Sequence, residues 1–173
     1  MLVLNLAFSD FCMIFSQSPP MIINCFYETW ILGEFMCQIY ALCGSIFGCG
    51  SIWSMCMIAL DRYNVIVKGL QGKPMTNKTA LMKILFIWSV ATFWTVMPLV
   101  GWNQYVLEGN MTSCGIDYLN RSWNTRSYLI IYSLFVYYTP LSLIIYSYWF
   151  IIATVSAHEK AMREQAKKMN VKS

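Results

Sequence analysis

The stretch CQIYALCGSIFGCGSIWSMCMIAL, residues 37–60, runs directly into Asp61-Arg62-Tyr63, and its reading decides the fold class. No charged side chain interrupts it, and a helix of that length rises about 36 Å, enough to cross about 30 Å of hydrocarbon. Three further apolar stretches, residues 1–23, 80–102 and 128–154, are long enough to do the same. The first starts without a basic flank or a small-residue cleavage site and reads as a span rather than a signal peptide. The prediction is an all-α, polytopic membrane protein with four transmembrane helices, one domain over residues 1–173.

Composition agrees. Of 173 residues, 58% are hydrophobic and only 12% charged, with a mean hydropathy of +0.51, whereas soluble domains carry about 25% charged residues. An aromatic content of 16% excludes a disordered chain. A net charge of +4, with no basic and aromatic residues interleaved on one face, argues against nucleic acid as a partner.

Basic residues orient the weave, since Lys and Arg near span ends favour the cytoplasm. Arg62, Lys68, Lys73, Lys78 and Lys83 flank the second connection, and Lys160, Arg163, Lys167, Lys168 and Lys172 occupy the tail. The opposite side holds Arg121 and Arg126 against Glu28, Glu34, Glu108 and Asp117, and is expected to face outward.

Of seven cysteines, Cys12, Cys43, Cys49 and Cys56 fall inside spans, where thiols are ordinary packing residues. Cys37 and Cys114 both map to the outer, oxidising side and are the favoured disulfide pair. Cys25 is a competitor that position alone does not remove. Pro19-Pro20, Pro98 and Pro140 are expected to kink the spans. Gly44 and Gly48 form a small-xxx-small pair that spacing alone assigns to helix packing, the sharper alternative being room for a ligand.

Asp10 is the clear mid-span acid. With Asn5 and Ser9 it forms either a hydrogen-bonding hub or a functional polar site. Asp61-Arg62-Tyr63 reads on its own as a charged interfacial boundary. Of three Asn-x-Ser/Thr sequons, Asn77 is expected on the cytoplasmic side, leaving Asn110 and Asn120. His158, the only histidine, has no second His or Cys nearby, and no metal is assigned.

Asn5-Leu6-Ala7 with Asp10, then Trp30, Gly33 and Cys37, then Asp61-Arg62-Tyr63, Trp88, Pro140 and Tyr148 occur in an order and spacing that resemble the rhodopsin-like G-protein-coupled receptors. They correspond to helices two to five of that seven-helix bundle. The third connection, with Gly101-Trp102, Tyr105, Glu108-Gly109 and Ser113-Cys114-Gly115-Ile116-Asp117-Tyr118, looks like the second extracellular loop of visual opsins. Tyr146-Ser147-Tyr148-Trp149 and the run from His158-Glu159-Lys160 to Val171 are similar to arthropod rhabdomeric visual opsins.

The resemblance implies a photoreceptor of the rhabdomere plasma membrane that binds an 11-cis-type retinal. Its partners would be a Gq-type heterotrimeric G protein and arrestin. The protonated retinal linkage needs a nearby anion. Tyr40 stands where vertebrate pigments carry a carboxylate, which leaves Glu108 as the implied counterion. Tyr40, Ala41, Gly44, Ser45, Gly48 and Cys49 become pocket wall on helix three, joined by Trp94 and by Tyr132, Val136 and Tyr137. Asp10, Asp61, Arg62, Tyr63 and Tyr148 are implied in activation, and His158, Glu159 and Lys160 in G-protein contact. A glycan at Asn110 would clash with the loop folded over retinal, so Asn120 is the favoured acceptor.

Helices one, six and seven have no counterpart, and with them the retinal-attachment lysine. The expectation is a partial receptor sequence that by itself neither forms pigment nor activates a G protein. Two alternatives are a rhodopsin-like receptor for a diffusible ligand, disfavoured by the loop around Glu108, and a four-span channel or transporter subunit. A pore would show polar stripes on several spans. No nucleophile, base and oxyanion donor can be placed together, so an enzyme is not expected.

Overall fold

The computed structural model describes residues 1–69, 76–108 and 111–171. Five helices run through it: α1 (Leu2–Phe26), α2 (Gly33–Ile66), α3 (Asn77–Val96), α4 (Trp123–Tyr132) and α5 (Thr139–Val171). A six-residue π-helical segment, Ser133–Tyr138, joins α4 to α5, so the last two are one rod. Between α3 and α4 lies a small antiparallel hairpin, β1 (Tyr105–Leu107) and β2 (Cys114–Ile116), with Val106 opposite Gly115. The all-helical expectation therefore holds for the bundle and gains one hairpin in the third connection.

Most helix ends overrun the expected spans because charged and polar turns can continue a helix into water, but α3 stops at Val96, short of the expected residue 102, where Pro98 and Gly101 turn the chain. The rod ending at Val171 carries the basic tail as helix. Among the described residues, three helical stretches are long and apolar enough to cross a membrane: Gly33–Ile66, Asn77–Val100 and Trp123–Met169. α1 has comparable length, but Asn5, Ser9, Asp10, Gln17 and Asn24 dilute its apolar average. Those groups are accommodated by neighbours: Ser9 and Asn24 are fully buried, and Asn5, Asp10 and Gln17 each hydrogen-bond to α2.

The prolines act unequally. α1 continues as helix through Pro19 and Pro20. Pro98 sits in the first turn of a 3-10 segment, Met97–Val100, where no donor is missed, and Gly101 closes that turn at φ +99°. Pro140 follows the π segment. There the register slip takes up the hydrogen bond that proline cannot make, while Thr139 Oγ1 donates to the Leu134 carbonyl at 2.7 Å.

Helix α2 is the axis of the fold, lying against α1, α3, α5 and both strands. Three apolar clusters stack along it. Leu2, Trp53, Cys56 and Ile87 pack near the basic end. Cys49, Ala91, Trp94, Tyr128 and Val136 pack in the middle. Cys37, Tyr40, Ala41, Tyr105 and Cys114 dock the hairpin on the opposite end.

Candidate functional site

The site is assembled by the hairpin. Cys37 in the second turn of α2 is bonded to Cys114 at the start of β2, with a Cα separation of 5.4 Å and a sequence separation of 77. Cys25, the competitor, is free and exposed. Tyr105 on β1 donates its hydroxyl to the Thr95 carbonyl at 2.8 Å, tying the other strand to α3. Burial pushes the Tyr105 phenol up to about 12, so it remains a donor.

With both strands anchored, the hairpin overhangs α2 along an open cavity of about 390 Å³. Ala41, Gly44 and Ser45 line it from α2, Glu108 and Cys114 from the hairpin, and Tyr132 from α4. Glu108 is half-buried and accepts a 2.7 Å hydrogen bond from Ser113 Oγ. An added Cβ at Gly44 would meet Gln17 Oε1 at 3.1 Å, so the missing side chain admits the amide of Gln17. That amide in turn donates to the Tyr40 carbonyl at 2.9 Å. The two readings of the glycine strip thus meet at one position: Gly44 both receives a helix neighbour and lines the cavity, whereas Gly48 faces only Met13.

Other expected wall residues stand behind the cavity. Tyr40 packs edge-on against Trp30 at 5.3 Å and turns its hydroxyl toward Met21 Sδ, 3.9 Å away. Cys49 Sγ and the Tyr132 hydroxyl lie 3.2 Å apart in hydrogen-bonding geometry. Trp94 is the hub of an aromatic group with Trp102, Tyr128, Tyr132 and Phe135. Val136 is buried behind it, and Tyr137 is exposed beside Tyr138. Sequence reasoning missed Gln17 and Gly115. Gln17 lies two helical turns after Asp10, on the same face, and that spacing was the available signal.

The polar group on α1 divides in two. Asn5 Nδ2 donates to Ser54 Oγ at 2.9 Å and Asn5 Oδ1 accepts from Trp88 Nε1 at 3.0 Å, joining three helices. Asp10 Oδ1 instead accepts from Ser51 Oγ at 2.6 Å.

At the basic end, Asp61 pairs with Lys83 of α3 at 3.8 Å rather than with its neighbour Arg62. Arg62 is exposed there. Tyr63 packs on Tyr146 and Phe150 of α5, with Lys68 above its ring at 5.9 Å. Tyr148 is 48% exposed on the outside of α5. His158, Glu159 and Lys160 are exposed on its extension. In the loop beyond β2, Asp117 accepts from Gln104 Nε2 at 3.0 Å and from the backbone N–H groups of Leu119 and Asn120. Desolvation works against its ionised form, yet these donors outweigh it and hold the carboxyl below its usual range. Asn110 lies outside the described residues; Asn120 is exposed and Asn77 opens α3.

Comparison with known proteins places this arrangement. The family model "7 transmembrane receptor (rhodopsin family)" matches residues 1–173. Opsin Rh2 of Drosophila melanogaster is 77% identical over 173 residues, all of this chain and 45% of its own length. Rhodopsin of the mantis Sphodromantis sp. is 71% identical, again over all of this chain and 46% of its own. The chain spans less than half the length of these curated relatives. The crystal structure of squid rhodopsin superposes with a TM-score of 0.87 at 39% identity, covering 99% of this chain and 50% of that one. The matched helices, the hairpin tied by Cys37 and Cys114, and the Asp61-Arg62-Tyr63 boundary lead to one conclusion: this chain belongs to the rhodopsin family of seven-transmembrane receptors and is similar over its whole length to arthropod opsins.

Proposed function

We propose that the receptor containing this chain is a visual photoreceptor that holds an 11-cis-type retinal against the hairpin, with Glu108 as the counterion. The observation that carries this is the position of Glu108. Among the described residues lining the cavity it is the one carboxylate, held there by Ser113 and by the disulfide-tied hairpin. Retinal supplies light absorption and isomerisation; the chain supplies the wall and the anion. A unit cation beside such a carboxylate gains about 4 kcal/mol at an effective dielectric of 20, about three pK units toward keeping its proton. Tyr40 is not placed to share this role, because its hydroxyl is turned toward Met21.

The attachment lysine belongs, in this reading, outside these residues. The described lysines, Lys68, Lys78, Lys83, Lys160, Lys167 and Lys168, flank the ends of α2, α3 and α5 that lie away from the cavity. At that end the exposed Arg62, with Tyr63, Tyr148 and the His158-Glu159-Lys160 run, is the surface offered to a Gq-type G protein and to arrestin. Similarity to arthropod opsins supports the coupling class and the rhabdomere membrane.

The test is reconstitution of the full-length receptor with 11-cis-retinal. A visible absorption band is expected, moving to the near ultraviolet at neutral pH in Glu108→Gln. Failure to form any pigment would overturn the photoreceptor reading, and an unchanged band in the variant would overturn the role of Glu108.

A further inference from the structure

The Asn120-Arg121-Ser122 triplet lies on the hairpin side of the bundle, beside a second cavity that the retinal site does not use. That cavity measures about 340 Å³ and is lined by Asn103, Gln104, Asn124 and Thr125, with Pro98 and Leu99 as its apolar part and Asn120 and Ser122 at its edge. Its size and mixed lining suit a small polar molecule with one apolar face, which describes a single amino sugar. Asn120 Oδ1 accepts from the Ser122 N–H at 3.0 Å, and its backbone N–H donates to Asp117 Oδ1 at 3.1 Å. The side chain is exposed, and the segment between β2 and α4 is not helical.

We infer that Asn120 carries an N-linked glycan whose innermost N-acetylglucosamine rests in this cavity. In the transfer, Nδ2 bonds to the anomeric carbon of the sugar of a lipid-pyrophosphate-linked oligosaccharide. The bond from that carbon to the pyrophosphate oxygen breaks, the lipid pyrophosphate leaves with the electron pair, and the amide gives up one proton. The inference rests on the outward orientation of the hairpin end, and not on retinal binding. It is opposed to Asn77, which opens α3 at the basic end.

The experiment expresses the full-length receptor in insect cells and treats its membranes with peptide-N-glycosidase in heavy-oxygen water, which converts a glycosylated asparagine to isotope-marked aspartate. The mark is expected at Asn120, and a glycan-sized mobility step is expected to disappear in Asn120→Gln. Ser122 also caps α4, its Oγ accepting from the Thr125 N–H at 3.2 Å. Ser122→Asn keeps a capping side chain but destroys the acceptor triplet, so it should lose the mark while the receptor still reaches the membrane; Ser122→Thr should keep both. An unmarked Asn120 in receptor that has reached the cell surface would overturn the inference, whether or not Asn110 is marked. A mark at Asn77 would overturn the orientation as well. Core fucose on the innermost sugar at full occupancy would overturn its seating in the cavity, since a shielded sugar is closed to the transferase.

Discussion

Ser113 and Glu108 hold each other twice: Ser113 Oγ donates to Glu108 Oε2 at 2.7 Å, and the Glu108 backbone N–H donates to the Ser113 carbonyl at 2.9 Å. The carboxylate therefore extends the ladder of the hairpin instead of hanging from a free loop. Its direction toward the cavity is a property of β1 and β2.

Gly115, across the ladder from Val106, is what leaves room for that carboxylate. A methyl group there would overlap Glu108 Oε1 and press on its Cδ. Gly115→Ala should turn Glu108 away from the cavity at little cost in stability, since the atoms it meets are the free end of a flexible side chain. The full-length variant reconstituted with retinal should lose visible absorbance much as Glu108→Gln does, with retinal absorption recording the result.

Removing the Cys37–Cys114 bond frees both strands from α2. Cys37→Ser should lower stability by about 2–5 kcal/mol, measured as thermal denaturation in detergent. Titratable thiols in this chain should rise by one above the five already free, Cys12, Cys25, Cys43, Cys49 and Cys56. A fall by one instead, to Cys12, Cys43, Cys49 and Cys56, would mean that Cys25 has replaced Cys37 as the partner of Cys114.

The Asn5 amide bridges Ser54 on α2 and Trp88 on α3. Asn5→Leu leaves Trp88 Nε1 without its acceptor and should cost about 1–3 kcal/mol, again by thermal denaturation. Asp10→Asn, whose one described side-chain contact is the Ser51 hydroxyl, should cost less, since an amide oxygen still accepts that bond.

Asp117 sets an acid limit on the loop. Its folded pKa lies below the ordinary 3.8, so its contribution to stability is fully present above the unfolded value and is lost as pH falls through the folded one. Asp117→Asn should lower the thermal midpoint at pH 7. The difference from wild type should shrink as the midpoint is followed down through pH 4 toward pH 2. A gap that widens on acidification would contradict the assignment.

Much of this was legible in the amino-acid sequence. Charge-free length in residues 37–60 specifies a spanning helix, because an unsatisfied backbone is prohibitive in hydrocarbon. The separation of Lys and Arg from the outer acids specifies the weave, and the ordered motifs from Asn5 to Tyr148 specify the family. These are properties of single segments and of their order along the chain.

What only the tertiary structure decided depends on which faces meet. Asp61 sits next to Arg62 in sequence, but successive helical residues point apart, and the carboxylate reaches Lys83 on a neighbouring helix. Cys114 could have paired with Cys25 until the hairpin docked over α2 and placed it against Cys37. Gly44 spells only a small residue in the sequence; the amide of Gln17 arriving over it makes it part of a cavity wall. Composition and periodicity determine what each segment can become in a membrane, whereas such contacts across tens of residues follow from packing the helices around α2, where a shift of one residue would turn each of these side chains elsewhere.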